Sequence, residues 1–206
     1  MKKRIMWSAL TLLFTLSIGY NVSFWAQGRG QTATAAKGRP APGKMSDMFE
    51  YIPKSDMDAL RALGNDRPAR VLNMGGKYHL GVFSLPYEPR KPKAGEPLPS
   101  FYHSEVSEVY FVIRGSGTAA LGGELENATW DDSGSRSVKV VRGPSVNGTQ
   151  KGFKTVNWKA GDTIIVSAGV PHVFGYEVTE KTELMRVVID PSKSVDLQSK
   201  PDLSKR

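Results

Sequence analysis

Tyr102-His103-Ser-Glu-Val-Ser-Glu108-Val-Tyr110-Phe-Val-Ile-Arg-Gly115-Ser-Gly117 is the stretch on which the reading of the fold turns. Its apolar run is rich in β-branched and aromatic residues, and Gly115-Ser116 breaks it, which is the pattern of a strand followed by a tight turn. Alternation along a strand puts Glu108, Tyr110 and Val112 on one face. A carboxylate on the inner face of an apolar strand is costly unless it is protonated or has a cationic partner. His103 lies five residues before Glu108, so regular alternation cannot bring both to one face. A turn or bulge within Ser104 to Ser107 is therefore required.

The same texture extends outward from this segment. Short runs of Val, Ile, Tyr and Phe predict strands near 70–74, 78–86, 99–104, 108–114, 117–122, 139–142, 153–158, 163–167, 172–178 and 183–190. Gly75-Gly76, the span from Pro89 to Pro97, Gly122-Gly123, Gly143-Pro144 and Ala160-Gly161 punctuate them. The chain holds 21 Gly and 13 Pro, a usage that favours turns and strands over long helices. The fold class is all-β, a sandwich or barrel, with one short N-terminal helix. That helix is expected to start at Ser55 with Asp58 as a capping-box partner, to present Met57, Leu60 and Leu63 on one face, and to stop at Gly64. Residues 124–158 are rich in Gly, Ser and Asn, follow no clear period, and read as an inserted excursion.

A second informative segment is Gly161-Asp-Thr-Ile-Ile-Val-Ser167-Ala-Gly169-Val-Pro171-His172. Together the two stretches resemble the paired motifs of the cupin superfamily. The spacing of His103, Glu108 and Gly115 matches the first motif, and Gly161, Gly169 and His172 match the second, with Ser167 where proline is usual. The resemblance spans about residues 70–190 and implies a β-barrel or jelly roll. There are two departures. Phe101 stands where the first motif usually carries another histidine, and Tyr176 stands where an asparagine often follows the second. The resemblance thus implies a three-residue metal site of His103, Glu108 and His172, and often a homodimer formed through edge strands.

The residue chemistry agrees with such a site. Two neutral imidazoles and one carboxylate suit a divalent ion such as Fe(II), Mn(II) or Zn(II), and leave positions open for a small molecule. Tyr110, on the face of Glu108, and Phe174 and Tyr176, on the face of His172, are expected to line a ligand pocket. His79 and Glu105 are secondary candidates as ligands. Metal-dependent, dioxygenase-like chemistry on a small organic molecule is one expected function. A non-catalytic module that binds an organic acid or sugar, with a degenerate metal site, is the alternative.

The N-terminus carries a different message. Lys2, Lys3 and Arg4 precede an uncharged apolar run from Ile5 to Tyr20, the layout of a secretory signal. Residues 1–26 are read as that signal, with cleavage expected after Ala26 or near Ala33-Thr34-Ala35, and an uncleaved membrane anchor as the alternative. Residues 27–44 read as a disordered linker, 45–191 as the barrel domain and 192–206 as a polar tail. The domain is accordingly expected in the periplasm or outside the cell.

Charge and composition narrow the function further. Seven of the 28 Lys and Arg, and none of the 20 Asp and Glu, fall within residues 1–44, so the net +8 belongs mainly to that segment. The body has no basic stripe with interleaved aromatics, which argues against nucleic acid as a partner. Cysteine is absent, which excludes disulfides, thiolate metal sites and cysteine nucleophiles. Gly115-Ser-Gly117-Thr-Ala-Ala120 fits a dinucleotide-loop pattern but leads into a strand, not the helix that chemistry needs. The nucleophile-elbow pattern is absent.

Overall fold

A computed structural model describes residues 49–204. The export segment and linker expected over 1–44 lie outside the described residues. Among those described, no helix is long and apolar enough to cross a membrane.

The first element is α1 (Lys54–Ala62). It buries Leu60, and its chain reversal uses Gly64, whose φ of +72° lies in the left-handed region open to glycine. The expected capping box does not form. The helix begins one residue before Ser55, behind Pro53, with no side-chain cap. Asp58 instead pairs with Lys54 at 2.6 Å and with Arg61. Arg70 ties the region to the first strand by bonding Glu50 at 2.7 Å and Asp56 at 2.9 Å.

The strands follow as β1 (Arg67–Asn73), β2 (His79–Tyr87), β3 (Pro99–His103), β4 (Ser107–Arg114), β5 (Ser116–Leu121), β6 (Glu124–Trp130), β7 (Ser145–Lys151), β8 (Lys154–Lys159), β9 (Thr163–Val166), β10 (His172–Val178) and β11 (Thr182–Asp190). They form two antiparallel sheets, a five-stranded one in the order β1-β2-β11-β4-β9 and a six-stranded one in the order β6-β7-β3-β10-β5-β8. The fold is all-β, with consecutive strands repeatedly changing sheet. β3 and β4 are one such pair. The break between His103 and Glu108 is therefore a change of sheet across Ser104–Val106, and this is how two residues five apart come to face one interior.

The poorly patterned excursion holds two strands that alternation does not reveal. β6 is an edge strand exposed along nearly its whole length, so neither face carries an apolar code. Its backbone pairing with β7 creates the strand. The strand expected at 139–142 is a π-helical turn, Ser137–Arg142. Val138 and Val141, three apart, both point into the core, which a helical turn permits and an extended strand does not. Gly143, at φ +68°, ends the turn. Residues 192–204, read as a polar tail, lie along β1. Val195 is fully buried there and Gln198 exchanges backbone bonds with Val71.

The interior contains two apolar clusters. One gathers Leu85, Tyr110, Val112, Trp158, Phe174 and Leu184, and the other Val71, Phe83, Val106, Val141, Val188 and Val195. The inward residues of β4 (Glu108, Tyr110, Val112) and of β11 (Leu184, Arg186, Val188) alternate as a half-buried strand should. Three buried positions on these strands are charged: Glu108, Arg186 and, at the end of β11, Asp190, which accepts from the Val195 backbone N–H. Tyr110 of the first cluster touches Glu108, and Val141 of the second touches Arg186.

Candidate metal centre

β3 and β10 are neighbours in the six-stranded sheet, with His172 opposite Phe101, so His103 and His172 project inward side by side. β4, from the other sheet, brings Glu108 across the interior. The ligating atoms of His103, Glu108 and His172 lie within 4.8 Å of one another, and all three residues are buried. Nε2 of His103 is 3.1 Å from Glu108 Oε1, and Nε2 of His172 is 3.1 Å from Oε2.

Hydrogen bonds assign the imidazole tautomers. His172 Nδ1 is 2.9 Å from the Val170 carbonyl oxygen, which only accepts, so Nδ1 carries the proton. His103 Nδ1 is 2.9 Å from Ser145 Oγ. The single proton of that hydroxyl is donated to the Gly143 carbonyl at 2.9 Å, so Ser145 accepts from His103. Burial, outweighing the nearby carboxylate, holds the His103 imidazole below its ordinary range and keeps it neutral. As neutral imidazoles with the proton on Nδ1, both rings present Nε2 lone pairs to carboxylate oxygens, and neither Nε2 has a hydrogen-bond partner among the described residues. Acceptor facing acceptor in a buried site is unfavourable unless a cation lies between them. The residues present fit a divalent metal.

Glu108 is held from its other sides. Tyr110 donates its hydroxyl to Oε2 at 2.5 Å, and Arg186 Nη1 donates to Oε1 at 2.7 Å. Burial raises the Tyr110 hydroxyl well above its ordinary range, as does the Glu108 charge, so it stays a proton donor. Burial alone would raise Glu108, but the charge and hydrogen bonds around it, Arg186 foremost once His103 is neutral, hold it well below the usual carboxylate range.

Of the expected pocket residues, Tyr110 and Phe174 are at the site, stacked with ring centroids 3.5 Å apart. Tyr176 is not. A register shift between Val173 and Glu177 breaks the alternation of β10. Tyr176 instead packs edge-on against Phe153 at 5.5 Å and lines a separate cavity of about 430 Å³ with Arg90, Lys91 and Gln150. His79 is buried elsewhere, its Nδ1 bonded to the Val195 carbonyl, and Glu105 is exposed. Phe101 lies beside the metal ligands, 5.3 Å from the His103 ring and 5.0 Å from that of His172. The Arg142 guanidinium covers its other side at 4.3 Å. Phe101 also walls a second cavity, of about 510 Å³, with Asp66, Leu85, Tyr87, Ser137 and Arg142. The sequence reading missed Arg186 and Ser145. Arg186 had a signal, since it shares parity with Leu184 and Val188 in an apolar run. Ser145 had none.

The acid response of the metal-free protein follows from these shifts. Glu108 is depressed in the folded state, so its contribution is present above the unfolded carboxylate value of 4.5 and is lost as pH falls below it. His103 is depressed below 6.5, so beneath that pH the unfolded chain binds a proton that the folded one excludes. Stability is thus expected to decline from about pH 6.5 downward, by about 1.4 kcal/mol per pH unit for each proton. The decline steepens below about pH 4.5. Urea unfolding in a chelator across this range checks it, and a midpoint that stays flat from about pH 7 to 5 contradicts it.

Fold and site together define an all-β protein of two antiparallel sheets with a buried two-histidine, one-carboxylate cluster suited to a divalent ion. No protein-family model matches the chain, and no curated protein matches it. Solved structures do resemble it. An uncharacterised protein with a double-stranded β-helix domain from Klebsiella pneumoniae is 17% identical, with 79% of this chain and 99% of that one covered and a TM-score of 0.39. A Bacillus halodurans protein is 11% identical, with 72% and 87% covered and a TM-score of 0.40. The Bacillus subtilis oxalate decarboxylase, which has Mn(II) centres, is 15% identical, with a TM-score of 0.36; 63% of this chain matches 27% of that one. The fold class rests on the sheet topology described above.

Proposed function

We propose that this chain is an exported protein that binds one divalent ion, Fe(II), Mn(II) or Zn(II), through His103, Glu108 and His172. It presents the ion to a small organic molecule, with oxidative, dioxygenase-like chemistry as the favoured reaction class. The observation that carries the reading is the pair of buried Nε2 lone pairs aimed at a carboxylate. The ion, when bound, supplies Lewis acidity or redox capacity. The chain's own residues do the rest. Ser145 and the Val170 carbonyl fix the two tautomers, an arrangement that orients ligating imidazoles. Tyr110 and Arg186 hold the carboxylate in place. Phe101 puts a phenyl ring against the two imidazoles, leaving three protein ligands and open positions. The cavity that Phe101 walls is the entry we assign to the small molecule.

Metal analysis of the purified protein tests the reading. The expected result is about one divalent ion per chain, and loss of that ion in His172→Ala with the fold retained by circular dichroism. The second reading is a metal-free binding module, and its support is that Arg186 already neutralises Glu108. A well-folded protein that takes up no Fe(II), Mn(II) or Zn(II) at millimolar concentration would establish it over the first.

A further inference from the structure

Arg186 is the largest fully buried side chain in the described residues. Its guanidinium bonds Glu108 Oε1 at 2.7 Å, the Val141 carbonyl at 2.9 Å and Asp66 Oδ2 at 3.0 Å, and it lies 4.4 Å from the centroid of the Phe83 ring. Register explains the placement. Arg186 pairs with Tyr110 across β11 and β4, and Val188 pairs with Glu108, so arginine and glutamate are diagonal neighbours on one inward face. The proposed metal ligand therefore already shares its charge with a resident cation.

We propose that Arg186 and the metal ion are antagonists for Glu108. The guanidinium keeps the metal-free site neutral and folded, and it weakens metal binding, so the site exchanges its ion instead of depending on it for folding. The inference rests on the metal-binding reading above. Its physical basis is that two cations sharing one carboxylate in a buried, low-dielectric site repel each other and compete for the same lone pairs. Arg186 cannot withdraw by losing its proton, because a guanidinium stays protonated in proteins. Asp66 and Val141 also hold it from behind, so it cannot swing aside at low cost. Coupling between two cations on one group is reciprocal. Whatever Arg186 subtracts from metal affinity, the metal subtracts from the stabilising effect of Arg186.

The test compares the full chain with Arg186→Met, which removes the charge at similar length, and Arg186→Lys, which keeps it. Affinity for Mn(II) and Zn(II) is measured by calorimetry, and thermal unfolding is recorded in chelator and in metal. Arg186→Met is expected to bind metal at least tenfold more tightly than the wild type, to melt lower in chelator, and to recover most of that loss when metal is added. Arg186→Lys is expected to stay within about threefold of the wild-type affinity. Equal or weaker metal binding by Arg186→Met overturns the proposal. So does an Arg186→Met protein that remains unfolded in saturating metal, since metal is then no substitute for the lost charge. If the wild type binds metal and the variants do not differ, this inference alone fails. If the wild type and both variants bind none, the metal-binding reading fails with it.

Discussion

Replacing Glu108 by alanine is expected to abolish metal binding and to destabilise the protein by about 3–5 kcal/mol, the range seen when one partner of a buried ion pair is removed. Glu108 is fully buried and accepts from both Arg186 and Tyr110. Its loss leaves the guanidinium with Asp66 and the Val141 carbonyl, and leaves the Tyr110 hydroxyl without its acceptor in the structure. Glu108→Gln separates charge from shape. Its carbonyl oxygen can still accept from Arg186, and its amide N–H can donate to one of the bare Nε2 atoms. Glu108→Gln is therefore expected to lose metal while costing less than half as much stability in chelator. Urea unfolding of both variants, alongside metal content, checks this. Equal destabilisation by the two changes would show that the carboxylate charge, not its packing or hydrogen bonding, carries the interaction.

Phe83→Ala is expected to have a comparable effect on stability, again about 3–5 kcal/mol, through a different route. Phe83 is fully buried among Val71, Val106, Val141, Val188 and Val195, and its ring lies against the Arg186 guanidinium. The substitution leaves a cavity in the second apolar cluster and removes the aromatic face on which the buried cation rests. Gly81 marks how closely that ring is packed, because a Cβ there would come within 2.5 Å of Phe83 Cε2. Phe83→Leu, which refills much of the volume without the ring, is expected to recover part of the loss. Thermal and urea unfolding give the stability. A loss under about 1 kcal/mol for Phe83→Ala would mean that the surrounding valines collapse onto the gap, which the close packing of protein interiors opposes.

The apolar runs announced most of the strands because their residues are half-buried in a sheet, and period-two alternation is the direct trace of that burial. β4 and β11 show it best. The runs failed where burial and backbone pairing part company. β6 pairs with β7 through main-chain groups while its side chains face solvent on both sides, so no pattern is written into it. At 138–141 three valines imitate a strand, but the turn is helical, which lets Val138 and Val141, three apart, both be buried. Tyr176 was placed by simple parity, which the irregular register of β10 removes.

The residue types and their spacing were enough to establish an all-β body and to single out His103, Glu108 and His172. Alternating burial and motif spacing are local properties, and a linear reading captures local properties. Only the tertiary structure decided which nitrogen of each imidazole is free, because the tautomers depend on Gly143, Ser145 and Val170, whose roles leave no mark in the chain order. The same holds for Arg186, which reaches Glu108 across 78 residues of sequence by the register of β11 on β4. Electrostatics inside a protein acts through space, and the neighbours that set the charge of a buried group are chosen by strand pairing and sheet packing.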